Sequence, residues 1–214
     1  MILYYHPLSS YCWKVLIAFH ENGVSFTAKM LEDGAAAAEW QALWPIGKFP
    51  VLHDPARNAT VGEAGIIIEY LAQHEPGTFH PFPADPDAAL DVRLMDRLFD
   101  NYVMTPMQAL VADRLRPEGQ RDPYGVAQAR DMLGKAYAML ERRMAGRTWA
   151  AGDSFTLADC AAAPALFYAD RIVPLGDGHP ILSAYLKRLE ARPSFARVLK
   201  DKQPWWHMFP FADG

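Results

Sequence analysis

Trp44-Pro45-Ile46-Gly47-Lys48-Phe49-Pro50-Val51-Leu52 puts a proline at the opening of a short apolar strand. Proline lacks the N–H that a strand ladder uses, so within sheets it is confined to edges, first positions and bulges. Two readings follow. In one, Pro50 sits on an edge strand and Lys48 is an exposed charge. In the other, the Phe49–Pro50 bond is cis, and the turn aims the Phe49 N–H and C=O into a cleft. There they could pair with a peptide-like ligand as a missing strand would, with Lys48 meeting its carboxylate.

The surrounding residues set this strand in a recognisable order. Ile2 to Tyr5 is a short apolar strand candidate. Tyr11 to Glu21 reads as a helix, with Cys12, Val15, Leu16 and Phe19 on one face. Asn22-Gly23 ends it. Ser25 to Leu31 is a weaker strand, and Ala35 to Trp44 has a helical composition that stops before Pro45. Phe49 to His53 and Ala59 to Gly62 form a hairpin around Asp54, Pro55 and Asn58. Glu63 to His74 is a helix with Ile66, Ile67, Tyr70 and Leu71 facing inward.

Beyond it, Thr78 to Pro86 holds Pro81, Pro83 and Pro86, a density that stops helices and stiffens a connection. From Asp87 onward every segment has helical periodicity. Leu90, Leu94, Arg97, Leu98 and Tyr102 mark one long helix; Met132, Leu133, Ala136, Met139 and Leu140 mark another. Thr156 to Ala169, Pro180 to Ala191 and Pro193 to Lys200 are shorter ones. The expected organisation is an α/β domain over residues 1–77, a linker over 78–86 and an all-α domain over 87–214.

Composition removes several functions. The net charge is −4, without the basic footprint of a nucleic-acid binder. No apolar run spans a bilayer. Met1 to Pro7 has neither a cationic nor an apolar leader region. Two cysteines cannot build a disulfide framework, and seven histidines lack any zinc-holding spacing. No phosphate-binding, dinucleotide-binding or nucleophile-elbow motif is present. The expectation is a cytoplasmic protein with no metal, no nucleic acid and no membrane partner.

Three helix starts carry the remaining signal. In His6-Pro7-Leu8-Ser9-Ser10-Tyr11-Cys12-Trp13-Lys14 a strand runs straight into a helix, which presents free N–H groups and a positive dipole end. A hydroxyl there either caps the helix or donates to an anion such as a cofactor thiolate, and both readings stand for Ser9 and Ser10. Cys12 lacks a partner cysteine at residue 9, so dithiol chemistry is disfavoured and Cys12 reads as a buried small hydrophobe. Glu63-Ala64-Gly65 opens the second: Glu63 either favours the dipole or meets a ligand ammonium while the helix end takes the carboxylate. The third, Phe155-Thr156-Leu157-Ala158-Asp159-Cys160, has Thr156 as N-cap and Asp159 at N3, a capping box assigned to folding. The tail Trp205-Trp206-His207-Met208-Phe209-Pro210-Phe211 either packs on the core or walls a hydrophobic substrate site.

Taken together, these segments resemble the cytosolic glutathione transferase superfamily over nearly the whole chain. Ser9 to Val15 looks like the catalytic-serine segment of its zeta and theta-like classes, Pro45 to Leu52 its cis-proline segment, and Glu63-Ala64 its Glu-Ser before the third helix. Phe155 to Asp159 looks like the capping box of its helical domain. The resemblance implies a thioredoxin-like domain followed by an all-helical one, glutathione as co-substrate, and a homodimer. It implies that Ser9 stabilises the thiolate, with Ser10 a helix-start residue or secondary donor. Lys48 would meet the glycine carboxylate, Phe49 beside Pro50 the cysteinyl backbone, and Glu63 with Ala64 the γ-glutamyl end. Tyr5, Tyr11, Tyr102, Met104, Met107, Trp206 and Phe209 are expected to wall the site of a small hydrophobic electrophile. The implied activity is thiolate attack, in conjugation, peroxide reduction or isomerisation; the alternative is a non-catalytic binding or regulatory module. Ala64 departs from the pattern: the usual serine hydroxyl is missing, so glutathione binding should be weaker.

Overall fold

The computed structural model describes residues 1–212. Its first layer is a four-stranded mixed sheet in the order β2-β1-β3-β4. β1 (Ile2–Tyr5) runs parallel to β2 (Thr27–Met30) and antiparallel to β3 (Val51–Asp54), which pairs antiparallel with β4 (Ala59–Gly62). A parallel pair needs a crossover, and α1 (Ser10–Asn22) supplies it. Gly23, at φ 64°, closes α1 in the left-handed region that glycine adopts without strain. α2 (Gly34–Leu43) precedes the proline strand and α3 (Ala64–His74) follows the hairpin. The Phe49–Pro50 peptide is cis, and the strand begins one residue beyond it, at Val51, rather than at Phe49. Gly62 ends β4 under the Trp44 indole: a Cβ there would lie 2.3 Å from the ring, so only glycine lets the two approach.

The second layer is entirely helical. It comprises α4 (Pro86–Leu98), α5 (Thr105–Leu115), α6 (Pro123–Arg143), α7 (Leu157–Ile172), α8 (Pro180–Glu190) and α9 (Pro193–Asp201), then a 3₁₀ turn over Gln203–Met208. α4 and α5 are continuous through a π-helical stretch, Phe99–Met104. Pro106 has no N–H and its ring would meet the carbonyl four residues back, so the helix widens ahead of it. The Thr105 hydroxyl donates to the Asp100 carbonyl (3.0 Å) within that stretch. α7 is the axis of this layer. Its alanines, Ala161, Ala162, Ala163, Ala165 and Ala169, are fully buried, and their small side chains let α1 and α4 pack closely on it. The connection between the layers is tied down: Leu157 N–H donates to the Pro81 carbonyl (3.1 Å), and Asn22 donates to the Glu75 carbonyl (2.6 Å).

One expected inward face, that of α4, is largely rotated. Leu90, Leu94 and Tyr102 are exposed, while Val92, Met95, Asp96, Phe99 and Val103 are buried. Ile66 on α3 and Met132 on α6 also face out, while Ile67, Leu71, Leu133, Ala136 and Leu140 keep the expected faces of those helices buried. On α4 a second apolar stripe, Val92, Met95, Phe99 and Val103 at helical spacing, takes the inward face. The face that turns inward carries Asp96 and Asp100, and they are paired there by Lys14 of α1. α5 does not stand out in the sequence as a separate helix, because the π-helical stretch ahead of it breaks the 3.6-residue rhythm.

Candidate functional site

A cleft of about 900 Å³ opens between the two layers, and four of the residues singled out in the sequence line it from the sheet side: Ser9, Lys48, Phe49 and Glu63. Pro50 and Ala64 line it too. Ser9 is the N-cap of α1. Its Oγ accepts the Cys12 N–H at 3.3 Å, which leaves its own O–H proton free to donate. Ser10 is buried, absent from the cleft wall, and its Oγ accepts from Gln108 (3.3 Å). The structure therefore separates the two serines: Ser9 meets the cleft and Ser10 ties α1 to α5.

Across the cleft α3 begins without a cap. Glu63 occupies the N-cap position at φ 63°, ψ 118°, and no side chain bonds to the first turn among the described residues. A non-glycine residue held there carries of order 1–3 kcal/mol of strain. The first intrahelical bond of α3 runs from Ile67 N–H to the Glu63 carbonyl. The N–H groups of Ala64, Gly65 and Ile66 are thus left as orphan donors at the positive end of the helix, an arrangement that suits a carboxylate. Lys48 is exposed at the rim, and its carbonyl accepts from Trp40 Nε1–H (3.1 Å), which fixes the turn ahead of Phe49.

The wall from the helical layer is polar. Arg93, Arg97, Asn101 and Gln108 line it, with Leu157 as its apolar member. Beneath it lies a buried charge cluster. Lys14 Nζ, fully enclosed, reaches Asp96 Oδ1 (2.5 Å) and Asp100 Oδ2 (2.8 Å); Arg97 reaches Asp96 (2.5 Å) and Asp100 (3.1 Å) from the cleft side. Burial pushes the Asp100 carboxyl up from the usual carboxylate range, against the pull of Lys14. Its Oδ1 has no hydrogen-bond partner among the described residues. Tyr11, half-buried in the wall, is pushed up to about 12, first by burial and then by Asp100, so its phenol is neutral at working pH. Cys12 is enclosed, and burial pushes its thiol up to about 12. Burial and a raised thiol pKa both argue against a Cys12-based oxidoreductase.

The expected hydrophobic wall is not assembled. Of its seven residues Tyr11 alone lines the cleft. Met104, Met107 and Phe209 are buried in the core, and Tyr102 points to solvent. Tyr5 lines a separate cleft of about 530 Å³ between β2 and α9. Trp206 stacks on Tyr168 (6.1 Å between centroids) and packs edge-on to Phe167 (5.8 Å), so the aromatic tail packs on α7. The residues that sequence reasoning missed, Arg97, Asn101 and Gln108, carry no local motif; the π-helical stretch between α4 and α5 is the nearest signal, and it is invisible to periodicity. Among the described residues no cluster of three or more His, Cys, Asp or Glu is placed to hold a metal, and no helix is long and apolar enough to cross a membrane.

Comparison with known proteins agrees with this geometry. Residues 3–79 match the glutathione S-transferase N-terminal domain and residues 98–193 the glutathione S-transferase C-terminal domain. FtsZ-localized protein A of Caulobacter vibrioides is 30% identical, over 94% of this chain and 92% of its own length. Maleylacetoacetate isomerase of Rattus norvegicus is 28% identical, over 95% and 93%. A glutathione S-transferase of Methylobacterium radiotolerans, solved with glutathione sulfonate, superposes with a TM-score of 0.80 at 31% identity, over 92% of this chain and 93% of that one.

Proposed function

The chain belongs to the glutathione S-transferase family, and from that premise we propose that it binds glutathione in the cleft and activates the thiol for attack on a small electrophile. One observation carries the reading: Ser9 and the uncapped start of α3 face the same cleft, with Lys48 and the cis-bonded Phe49 along its rim. The γ-glutamyl carboxylate lies on the free N–H groups of α3, and Glu63 takes the ammonium. Phe49 pairs its backbone with the cysteinyl unit, and Lys48 meets the glycine carboxylate.

A free thiol titrates near ~8.5, so a few per cent is thiolate at neutral pH. The Ser9 hydroxyl donates to the sulfur anion but has no reason to prefer the neutral thiol, and the positive end of α1 acts in the same sense. Both lower the thiol pKa. The thiolate then attacks an electrophilic carbon. A C–S bond forms, and the displaced pair departs with a leaving group or moves along a conjugated system that water protonates. The polar wall of Arg97, Asn101 and Gln108 favours an electrophile with a polar group over a wholly apolar one. Leu90 and Leu94, one turn apart and exposed on α4, are apolar side chains that a second copy of the chain covers in a homodimer. A cytoplasmic setting fits this chemistry.

The test is calorimetry with glutathione, followed by conjugation rates for wild type and Ser9→Ala. Removing one donor to a developing anion lowers rates by roughly 10²–10³. Glutathione affinity should stay within about threefold, because Ser9 meets the thiolate and not the carboxylates. Absence of binding at millimolar glutathione sinks the reading. A second reading is a binding module without turnover. Ala64, which brings no hydroxyl to the helix end, favours it, as does the likeness to a relative named for its localisation to FtsZ. Binding without turnover over a broad panel of electrophiles would select it.

A further inference from the structure

Between β1 and α1 the chain turns through Pro7, Leu8 and Ser9, and this turn leaves two carbonyls outside the sheet and the helix. Carbonyls withdrawn from water need partners. Pro7 O accepts Trp13 Nε1–H at 2.7 Å, from the first turn of α1. Leu8 O accepts the Tyr168 hydroxyl at 2.8 Å, from α7, 160 residues along the chain. The N–H of the same peptide unit, that of Ser9, donates to the His6 carbonyl at 3.1 Å. The Leu8–Ser9 peptide plane is therefore gripped on both edges, once locally and once from the helical layer.

Tyr168 is built to hold its end. Its ring lies 4.7 Å from Trp13, 5.0 Å from Phe209 and 6.1 Å from Trp206, between centroids. Lys202 Nζ sits 3.6 Å from the centroid of the Trp206 ring, within cation–π range. Burial raises the Tyr168 phenol well above its ordinary value, so the hydroxyl stays a donor throughout the working pH range. The aromatic tail, which does not reach the cleft, is the back wall of this seat.

We propose that Tyr168 is a positioning residue for Ser9: its hydroxyl fixes the Leu8–Ser9 peptide so that the Ser9 O–H meets the glutathione sulfur. This rests on Ser9 being the thiolate-stabilising residue. Donors aimed at a developing charge act through their placement, and a carbonyl released from its partner lets the peptide plane rock. The helical domain thereby acts on the chemistry of the sheet domain through the backbone that carries Ser9.

Tyr168→Phe removes one oxygen and keeps the ring in its seat. The measurement is the thiol pKa of bound glutathione, from ultraviolet thiolate absorbance against pH, in wild type, Tyr168→Phe, Ser9→Ala and the double variant. In Tyr168→Phe the pKa should rise by about half a unit, roughly a threefold loss of thiolate near neutrality. Glutathione affinity should hold within about twofold. Ser9→Ala should raise the pKa further, and adding Tyr168→Phe to it should change nothing more, since the hydroxyl acts through Ser9. Trp206→Leu, which loosens the seat and leaves Tyr168 in place, should shift the titration the same way by less, and it provides the readout if Tyr168→Phe folds poorly. A lower melting temperature with an unchanged titration in both variants reduces Tyr168 to a structural role and overturns the proposal. Additive shifts in the double variant overturn it too. If Ser9→Ala itself leaves the titration unchanged, the reading of Ser9 fails, and the role of Tyr168 fails with it.

Discussion

α3 and α7 begin in opposite ways. At the start of α7 the capping groups are paired. Asp159 Oδ2 accepts the Thr156 N–H (2.8 Å), while Oδ1 accepts the Ala150 N–H (2.8 Å) and the Tyr185 hydroxyl (2.6 Å), all out of contact with water. At the start of α3 no side chain among the described residues caps the helix, Glu63 is held at a positive φ, and the first residues line a cleft. Closing the end of α7 stabilises the fold. The end of α3 is left open and strained, which a chain tolerates where the free donors have a ligand to meet. The same local geometry, a helix N-terminus, is structural in one place and functional in the other, and the difference is whether its donors are used up within the chain.

Asp159→Ala tests the closed end and should have the largest effect. It strands the Ala150 and Thr156 N–H groups and the Tyr185 hydroxyl in the interior. Each stranded donor costs about 1–3 kcal/mol, offset in part because the buried carboxylate no longer has to be desolvated. A loss of roughly 3 kcal/mol is expected, seen as a lower denaturant midpoint. Glutathione affinity of the folded fraction should not change. A loss below about 1 kcal/mol would mean that the closed end contributes little and that the contrast with α3 is one of appearance.

The contrast also separates what the sequence discloses from what it hides. The closed end was legible, because a Thr and an Asp at the right spacing bond to each other's backbone whatever surrounds them. The places of Ser9 and Glu63 at helix starts and of Pro50 ahead of a strand are legible for the same reason: each acts on its immediate neighbours. The far wall of the cleft was not. Leu90, Leu94 and Tyr102 form one apolar stripe on paper, but Val92, Met95, Phe99 and Val103 form another and that one is buried, with Asp96 and Asp100 beside it meeting Lys14 from α1. No periodicity within α4 contains that partner. The aromatic tail was open between packing and substrate contact, and its place on α7 depends on Phe167 and Tyr168, far from it in the chain.

Glu63→Gly should move stability and binding in opposite directions. Glycine adopts positive φ without a Cβ clash, which relieves of order 1–3 kcal/mol of strain; its own backbone entropy takes back about 0.5–1 kcal/mol. A net stabilisation of about 1 kcal/mol is expected from the denaturant midpoint. Glutathione affinity should fall about tenfold, since the ammonium loses a charged acceptor that is itself exposed. Losing both stability and binding would show that Glu63 is held by contacts rather than strained.

Ala64→Ser should have the smallest effect and bears most directly on what the open end is for. Ala64 is the first residue of α3, lines the cleft and packs against the buried core. A hydroxyl there adds one donor beside the free N–H groups. Hydrogen bonds to charged acceptors contribute roughly 1.5–3 kcal/mol, and ordering the side chain against competing water reduces that to about 1 kcal/mol, or roughly fivefold tighter glutathione by calorimetry. Without ligand the new hydroxyl has no assigned partner, so the free protein should gain nothing and the stabilisation should appear on adding glutathione. Unchanged affinity in a folded variant would place the γ-glutamyl carboxylate away from residue 64, and the open end of α3 would then serve a different pose or a different ligand. A gain well beyond fivefold, with turnover appearing in a protein that otherwise binds without reacting, would mean that the missing hydroxyl is what holds the wild-type chain back from catalysis. The open helix end would then be a site whose chemistry depends on one oxygen.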